Sequence, residues 1–385
     1  MKKILIIGAG FAGLSSLAVL SKFSKSLDLK ITLINDKSDS SFLPMLPDCL
    51  GRGINPKNLV CDLEVLSKKN NSNFVKDRVL GVDLINKQVK TATLMLDYDF
   101  LVIASGSETN FYGNTKIKEN AFKLDDAHDA SLIIKALQNK PYDNYLVVGG
   151  GYTGIEVATN LRSYFKKRGL NKRITIIERA PSILGPLPEW MKDYVLDNLR
   201  RLGIDIFTNS GIDAIENGKV RLADGRIFEN SMLIWAAGVR AADYIQNLKV
   251  EKNPQGRIKV DEYLRVNGNC FAAGDAGFFV YKDNFLRMAV QFAIKQGVCA
   301  GINIVNNIKG KNLVKYKPLD FGYIIPMANN RSCGIILGIN IGGLFPTFMH
   351  YFMCIYRSCN FRNRIGILSD LIGSSLKRKY PNYKI

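Results

Sequence analysis

One ordered element, written twice, constrains this chain more than anything else in it. Ile4-Leu5-Ile6-Ile7 is a short apolar strand-forming run that leads straight into Gly8-Ala9-Gly10-Phe11-Ala12-Gly13, and a helical pattern follows from Leu14 to Leu20. The same order returns as Tyr145-Leu146-Val147-Val148, Gly149-Gly150-Gly151-Tyr152-Thr153-Gly154 and Ile155-Glu156-Val157-Ala158. The first fingerprint glycine permits the tight turn out of the strand, the second lets a pyrophosphate reach the backbone, and the third lets helix pack on strand. The following helix aims its N-terminal N–H groups at the phosphates. Each copy therefore predicts a dinucleotide site.

In such a unit the second strand should end in an acid that holds the adenosine ribose. The first copy departs from this: Lys30 to Ile34 is followed by Asn35, and the acid comes one residue later as Asp36. Either can reach a ribose hydroxyl. The second copy keeps the pattern, with Arg173 to Ile177 ending in Glu178, a carboxylate that accepts from ribose hydroxyls and repels a 2′-phosphate. Arg179 beside it could instead welcome that phosphate. The fold class expected is α/β, with two Rossmann-like dinucleotide-binding domains and a C-terminal membrane-associating region.

The 385 residues suffice for two or three domains. With 53 Lys and Arg against 34 Asp and Glu, the formal charge of +19 favours acidic partners, nucleic acid or anionic lipid. No nucleic-acid recognition motif accompanies the charge, so lipid is the expected partner. The seven cysteines form no CxxC pair, and the two histidines, His128 and His350, lie far apart. This argues against a disulfide framework, a metal site or a Ser-His-Asp triad, and delegates the chemistry to a bound cofactor. The opening MKKILIIGAG has no signal-peptide pattern, which implies a cytosolic start.

Three further segments are strands that end in small residues: Tyr98 to Gly106, closing on Ala104-Ser105-Gly106; Leu233 to Gly238, closing on Ala236-Ala237-Gly238; and Cys270 to Ala276, containing Gly274-Asp275. In this order with the two glycine turns they resemble the two-dinucleotide-binding-domain flavoproteins. The resemblance implies FAD on the first copy, contacted by Gly8, Gly10, Phe11, Ala12, Gly13, Asn35, Asp36, Pro44, Val79, Ala104, Ser105, Gly106 and Asp275. It implies NADH on the second, contacted by Gly149, Gly151, Tyr152, Thr153, Gly154, Glu178, Ala237 and Gly238. The expected layout is a discontinuous FAD domain (1–112 and 252–320), an NAD(H) domain (113–251) and a C-terminal region (321–385).

Such flavoproteins differ in where the electrons go. Dithiol reductases carry a CxxxxC pair after the second FAD strand, where this chain has only Cys49, and Cys354 and Cys359 lie in an apolar C-terminal segment. Cys49 alone still permits a coenzyme A disulfide-type or other acceptor reductase. A sulfide:quinone oxidoreductase needs a cysteine pair flanking the flavin, yet none lies between Cys61 and Cys270. Phe42-Leu43-Pro44-Met45-Leu46-Pro47 is similar to the FxPLLP-type turn of type II NADH:quinone oxidoreductases. Ala289-Val290-Gln291-Phe292-Ala293-Ile294-Lys295-Gln296-Gly297 is similar to their AQxAxQ-type helix, with Lys295 where the second glutamine is expected. That resemblance implies a membrane quinone approaching Gln291, Lys295 and Gln296. Lys295 would either stabilise reduced flavin or face solvent. Glu156 would orient the nicotinamide or support charge separation, or serve only as a first-turn helix carboxylate. A homodimer is left open.

Cys333 to Tyr356 carries no Asp, Glu, Lys or Arg, long enough to raise the question of a bilayer span. Its glycines and Pro346 break it, however, so Ile335 to Ile339 is expected as a strand and a helix is expected from near Pro346. Downstream, Arg357, Arg362, Arg364, Lys377, Arg378, Lys379 and Lys384 face Asp370 alone, and Leu368, Leu371, Ile372 and Leu376 recur at helical spacing. Apolar stripe and basic flank together predict an interfacial helix on anionic lipid, with the enzyme monotopic at the cytoplasmic face of the membrane.

Overall fold

A computed structural model describes residues 1–282 and 284–376. Its contacts divide the chain into two compact units, one of residues 1–40, 61–108 and 239–320, the other of residues 41–60, 109–238 and 321–385. These divisions do not fall on the expected boundaries. The segment 41–60 and the C-terminal region are grouped with the second Rossmann core, and 239–251 with the first.

In the first unit, Lys2–Ile7 lies between Leu29–Asn35 and Phe100–Ile103, pairing parallel to both. The sheet continues outward to Asn73–Lys76 on one side and Cys270–Ala272 on the other, with Arg265–Asn267 as an antiparallel edge. Ile4 to Ile7 are all buried because a parallel strand is covered on both faces. On one face Phe11–Ser21 packs against Val290–Ile308 so closely that a Cβ on Gly297 would stand 2.1 Å from the Ala12 carbonyl oxygen. Ser16 Oγ donates to the Gly297 carbonyl at 2.8 Å across the same contact.

The second unit repeats the plan with four parallel strands in the order Ile204–Phe207, Arg173–Ile177, Asn144–Val148, Ser231–Trp235. Helix Tyr152–Lys166 follows its glycine turn. The C-terminal part of this unit is an antiparallel sheet of Gly322–Ile325, Ser332–Ile336 and Ile339–Gly343, then helices Leu344–Arg357 and Phe361–Leu376. The single strand expected at Ile335 to Ile339 is instead a hairpin. Ile336 pairs with Ile339, and Leu337 and Gly338 turn the chain with φ of 49° and 83°. Two successive positive φ values define the tight turn that suits strand twist, and Leu337 occupies a position that normally selects Asn or Gly. Among the described residues, no helix is long and apolar enough to cross a membrane. Lys377, Arg378, Lys379 and Lys384 lie outside the described residues.

Candidate active site

Both fingerprint helices begin at a glycine that leaves their first N–H groups without a side-chain cap. Gly10 precedes Phe11–Ser21 and Gly151 precedes Tyr152–Lys166, each extended and each making no cap hydrogen bond. Nothing stands within 4 Å of a Cβ placed on either. The flanking glycines are packed: a Cβ on Gly13 would meet the Gly8 carbonyl oxygen at 1.9 Å, and one on Gly154 the Gly149 oxygen at 1.8 Å. An open glycine at an uncapped helix start is the cradle a pyrophosphate requires, and the chain has it in both units. The residues present thus fit a dinucleotide at each turn.

In the first unit, Asn35 Oδ1 accepts the Ala9 N–H at 3.1 Å while its amide donates to the Lys37 carbonyl at 3.0 Å. Asp36 is exposed. Ala104 is buried against the turn, Tyr244 donates to Ser105 Oγ at 2.9 Å, and Gly106, at φ 70°, has open space around it. Asp275 accepts from Ser107 Oγ at 3.0 Å, and Arg257 Nε donates to its carbonyl at 2.9 Å. Burial pushes the Asp275 carboxyl above the usual range, opposed by the Ser107 hydrogen bond and the Arg257 charge. Val79 is half-buried at the start of strand Val79–Asp83. Phe11 and Ala12 open the first helix, and Ala12 Cβ would stand 3.0 Å from a Cβ on Gly274. Pro44 belongs to the second unit, in the short helical turn Leu43–Met45.

Of the three candidate site residues on Val290–Ile308, Gln291, Lys295 and Gln296, it is Gln296 that reaches the Gly274-Asp275 turn. Its buried Oε1 accepts the Gly274 N–H at 2.7 Å. Gln291 donates to Asp320 Oδ1 at 2.9 Å, and Arg287 holds the same carboxylate through two nitrogens at 2.5 and 2.7 Å. Lys295 is exposed.

In the second unit, Glu178 is fixed to its own turn. It accepts the Gly150 N–H at 2.6 Å and the Ala180 N–H at 2.7 Å. Tyr152 meets Tyr323 edge-on at 6.0 Å, and Thr153 is exposed. Ala237 and Gly238 follow the strand beside the turn, where a Cβ on Gly149 would lie 2.6 Å from the Ala236 oxygen. Glu156 sits just past the first helical turn, which contains no acid, rather than within it.

Around Glu156 the structure gathers residues that sequence spacing did not connect. Asp48, from helix Leu46–Gly51, is buried and accepts from the Tyr351 hydroxyl at 2.8 Å, with Arg52 Nε 3.7 Å away. Burial pushes the Glu156 carboxyl well above the carboxylate range, and the Asp48 charge adds to the shift. Asp48 itself is raised by burial, against the pull of Arg52, Tyr351 and Asn160. His350, 3.6 Å from Cys354 Sγ, is lowered to about 4 by burial and by the Arg52 charge. The available signal was the four-residue spacing of Asp48, on the short helix, and Arg52, just past its end; the Tyr351 partner is a long-range contact. Cys49 is buried and free, and burial raises its thiol well above the ordinary value. Among the described residues, no group of His, Cys, Asp and Glu could hold a metal ion.

Two uncapped dinucleotide turns, one per Rossmann core, define a dinucleotide-dependent oxidoreductase of the tandem-Rossmann class. A family model for pyridine nucleotide-disulphide oxidoreductases matches residues 2–297, and the chain belongs to that family. A type II NADH:quinone oxidoreductase of Staphylococcus aureus is 28% identical over 375 residues, covering 90% of this chain and 93% of the relative. Among solved structures, NDH2 from Plasmodium falciparum in complex with NADH superposes with a TM-score of 0.85 at 20% identity, covering 98% of this chain and 99% of that one. The sulfide:quinone oxidoreductase of Aquifex aeolicus gives 0.77 at 21% identity, covering 96% and 93%. These structural likenesses establish a shared fold.

Proposed function

We propose that the chain is an FAD-dependent NADH:quinone oxidoreductase working at a membrane surface. The observation that carries this reading is the combination of two open, uncapped glycine turns with helices whose apolar stripes face outward. Leu344, Phe345, Phe348, Phe352 and Tyr356 are exposed along one helix, and Phe361, Ile365, Leu368 and Ile372 along the next. Spacings of three and four residues align each set on one face, and the exposed Arg362 and Arg364 flank the second. Such a surface suits an anionic lipid interface, from which a hydrophobic quinone would be drawn. The type II relative in S. aureus, matched over nearly its whole length, supports the same acceptor. We assign the cytoplasmic face because NADH is supplied there.

Bound FAD would supply two-electron chemistry, taking a hydride from NADH and delivering the electrons to the quinone. The chain's own contribution begins with backbone N–H groups at Gly10 and Gly151, which bind the pyrophosphates. Asp275 and Gln296 shape the turn on the first site, and Glu178 offers a fixed carboxylate to the ribose of the second. Glu156, whose carboxyl is pushed well above the carboxylate range by burial and then by the Asp48 charge, is the group placed to supply a proton to a reaction that consumes protons with electrons. A thiol route through Cys49 is disfavoured because the thiolate is suppressed by burial.

The test is anaerobic reduction of the purified flavoprotein by NADH, followed by mixing with quinone, disulfide or ferredoxin in parallel. Rapid reoxidation by quinone is expected. Reoxidation by disulfide but not by quinone overturns the reading.

A further inference from the structure

The order of strands in the second sheet says where each half of a dinucleotide must go. Glu178 follows Arg173–Ile177, the glycine turn follows Asn144–Val148, and the next strand on the far side is Ser231–Trp235. A ligand with its adenosine ribose on Glu178 and its pyrophosphate on Gly151 therefore extends its other half across the end of Ser231–Trp235, at Ala236-Ala237-Gly238.

A short segment is fastened to that strand end. Trp235 Nε1 donates to the Asn110 carbonyl at 2.9 Å, and Asn110 N–H donates to the Gly238 carbonyl at 3.2 Å. Phe111 stacks on Trp235 with ring centroids 6.0 Å apart. Asn110 Oδ1 then accepts the Tyr112 N–H at 2.8 Å, and Tyr112 is held at φ 52°, in the left-handed region that non-glycine residues avoid. The effect is to lay the phenol on Gly238. A Cβ there would stand 2.2 Å from the Tyr112 hydroxyl, so only glycine, itself at φ 81°, fits beneath the ring. Yet 66% of Tyr112 remains exposed. A strained backbone and a set of local hydrogen bonds thus hold a large aromatic side chain in the open, at one end of the nucleotide path. Strain of this kind collects at ligand-binding positions.

We propose that Tyr112 is the contact residue for the nicotinamide half of the pyridine nucleotide, its ring forming the wall against which the nicotinamide riboside packs over Gly238. This rests on the NADH reading of the second unit.

The experiment measures dissociation constants of the holoprotein for NAD+ and for ADP-ribose, which lacks the nicotinamide. Tyr112→Ala should weaken NAD+ roughly tenfold, the loss of one aromatic contact, while ADP-ribose changes by less than about twofold. Tyr112→Phe, which keeps the ring, should bind NAD+ as the unaltered protein does. Glu178→Ala serves as the reference and should weaken both ligands. Equal loss of both ligands in Tyr112→Ala, no loss of either, or a Phe variant as weak as the Ala variant overturns the assignment. If Glu178→Ala leaves ADP-ribose binding unchanged, the nucleotide-site reading itself fails; if Glu178→Ala weakens it and Tyr112→Ala is silent, only the role of Tyr112 falls.

Discussion

Glu178 Oε2 accepts the backbone N–H of Gly150 at 2.6 Å, so the ribose-side carboxylate and the phosphate turn are locked to each other. The equivalent place in the first unit is filled by Asn35, which accepts the Ala9 N–H at 3.1 Å. The amide reproduces the turn contact without a negative charge. Only the second site therefore repels a 2′-phosphate.

That difference predicts coenzyme choice. NADH should reduce the flavoprotein with at least about tenfold higher kcat/KM than NADPH, worth about 1.4 kcal/mol in transition-state binding. Glu178→Gln should narrow the ratio, leaving the exposed Arg179 to govern it. Equal efficiencies in the unaltered enzyme would show that Arg179 already dominates.

Gln296 is the residue that ties helix Val290–Ile308 to the Gly274-Asp275 turn. Gln296→Leu leaves the Gly274 N–H without its acceptor, and an unsatisfied buried donor costs about 1–3 kcal/mol. Faster FAD release, followed by the fluorescence of free flavin on dilution, is the expected result. A release rate equal to that of the unaltered protein would remove Gln296 from the cofactor site.

Cys49 donates weakly to the Met45 carbonyl at 3.7 Å and is buried, with its thiol raised by burial first and by the charges of Asp48 and Asp370 after it. Cys49→Ser should keep most NADH:quinone turnover. Loss of turnover with FAD still bound would point to thiol-disulfide chemistry instead.

The two Rossmann cores were legible because their information is local. A buried strand, three glycines at fixed offsets and a helix are contiguous; the first and third glycines are sterically required, as by the Gly8 oxygen beneath Gly13, and the middle one leaves open space at the helix start. The Asp48–Tyr351 pair was not legible, since it joins residues 303 positions apart and neither sits in a motif. The hairpin at Leu337-Gly338 was missed for a different reason. An apolar run that turns on a leucine at φ 49° looks, by composition, like one strand. Lys295 stands where the family pattern has its second glutamine; its side chain is exposed while its neighbour Gln296 is buried, a difference that spacing alone does not give.

The buried group around Glu156 makes stability depend on pH from both sides. Glu156 has a folded pKa above its ordinary value of 4.5, so its contribution is complete below that value and is lost as pH rises through the folded pKa. His350 runs the other way: lowered from 6.5 to about 4, it contributes fully above 6.5 and loses that contribution as pH falls toward 4. Glu156→Gln should therefore raise Tm on the alkaline side alone, and His350→Gln should flatten the acid side. Thermal melts across the range check both. A Glu156→Gln profile parallel to that of the unaltered protein would mean that the carboxyl is not raised.

The outward stripes on Leu344–Arg357 and Phe361–Leu376 lead to a test of membrane docking that spares the fold. Deleting the last helix would be a poor choice, because Asn363 donates to the Val60 carbonyl and Asp370 accepts from Asn55 and Asn58, each at 2.8 Å. Removing those partners would disturb the 55–60 segment as well as the surface. Phe348 and Ile365 are 63% and 53% exposed, so placing glutamate at each should cost no more than about 0.5 kcal/mol of stability. On an anionic membrane the same changes remove apolar insertion and add repulsion. The double variant should leave anionic liposomes and lose activity with a long-tailed quinone, while a water-soluble short-chain quinone still oxidises it at the original rate. High salt should weaken liposome binding of the unaltered protein, at about 1 kcal/mol per surface-facing basic residue, without abolishing the apolar contact. If the double variant binds liposomes and turns over long-tailed quinone unchanged, these two helices are not the membrane face.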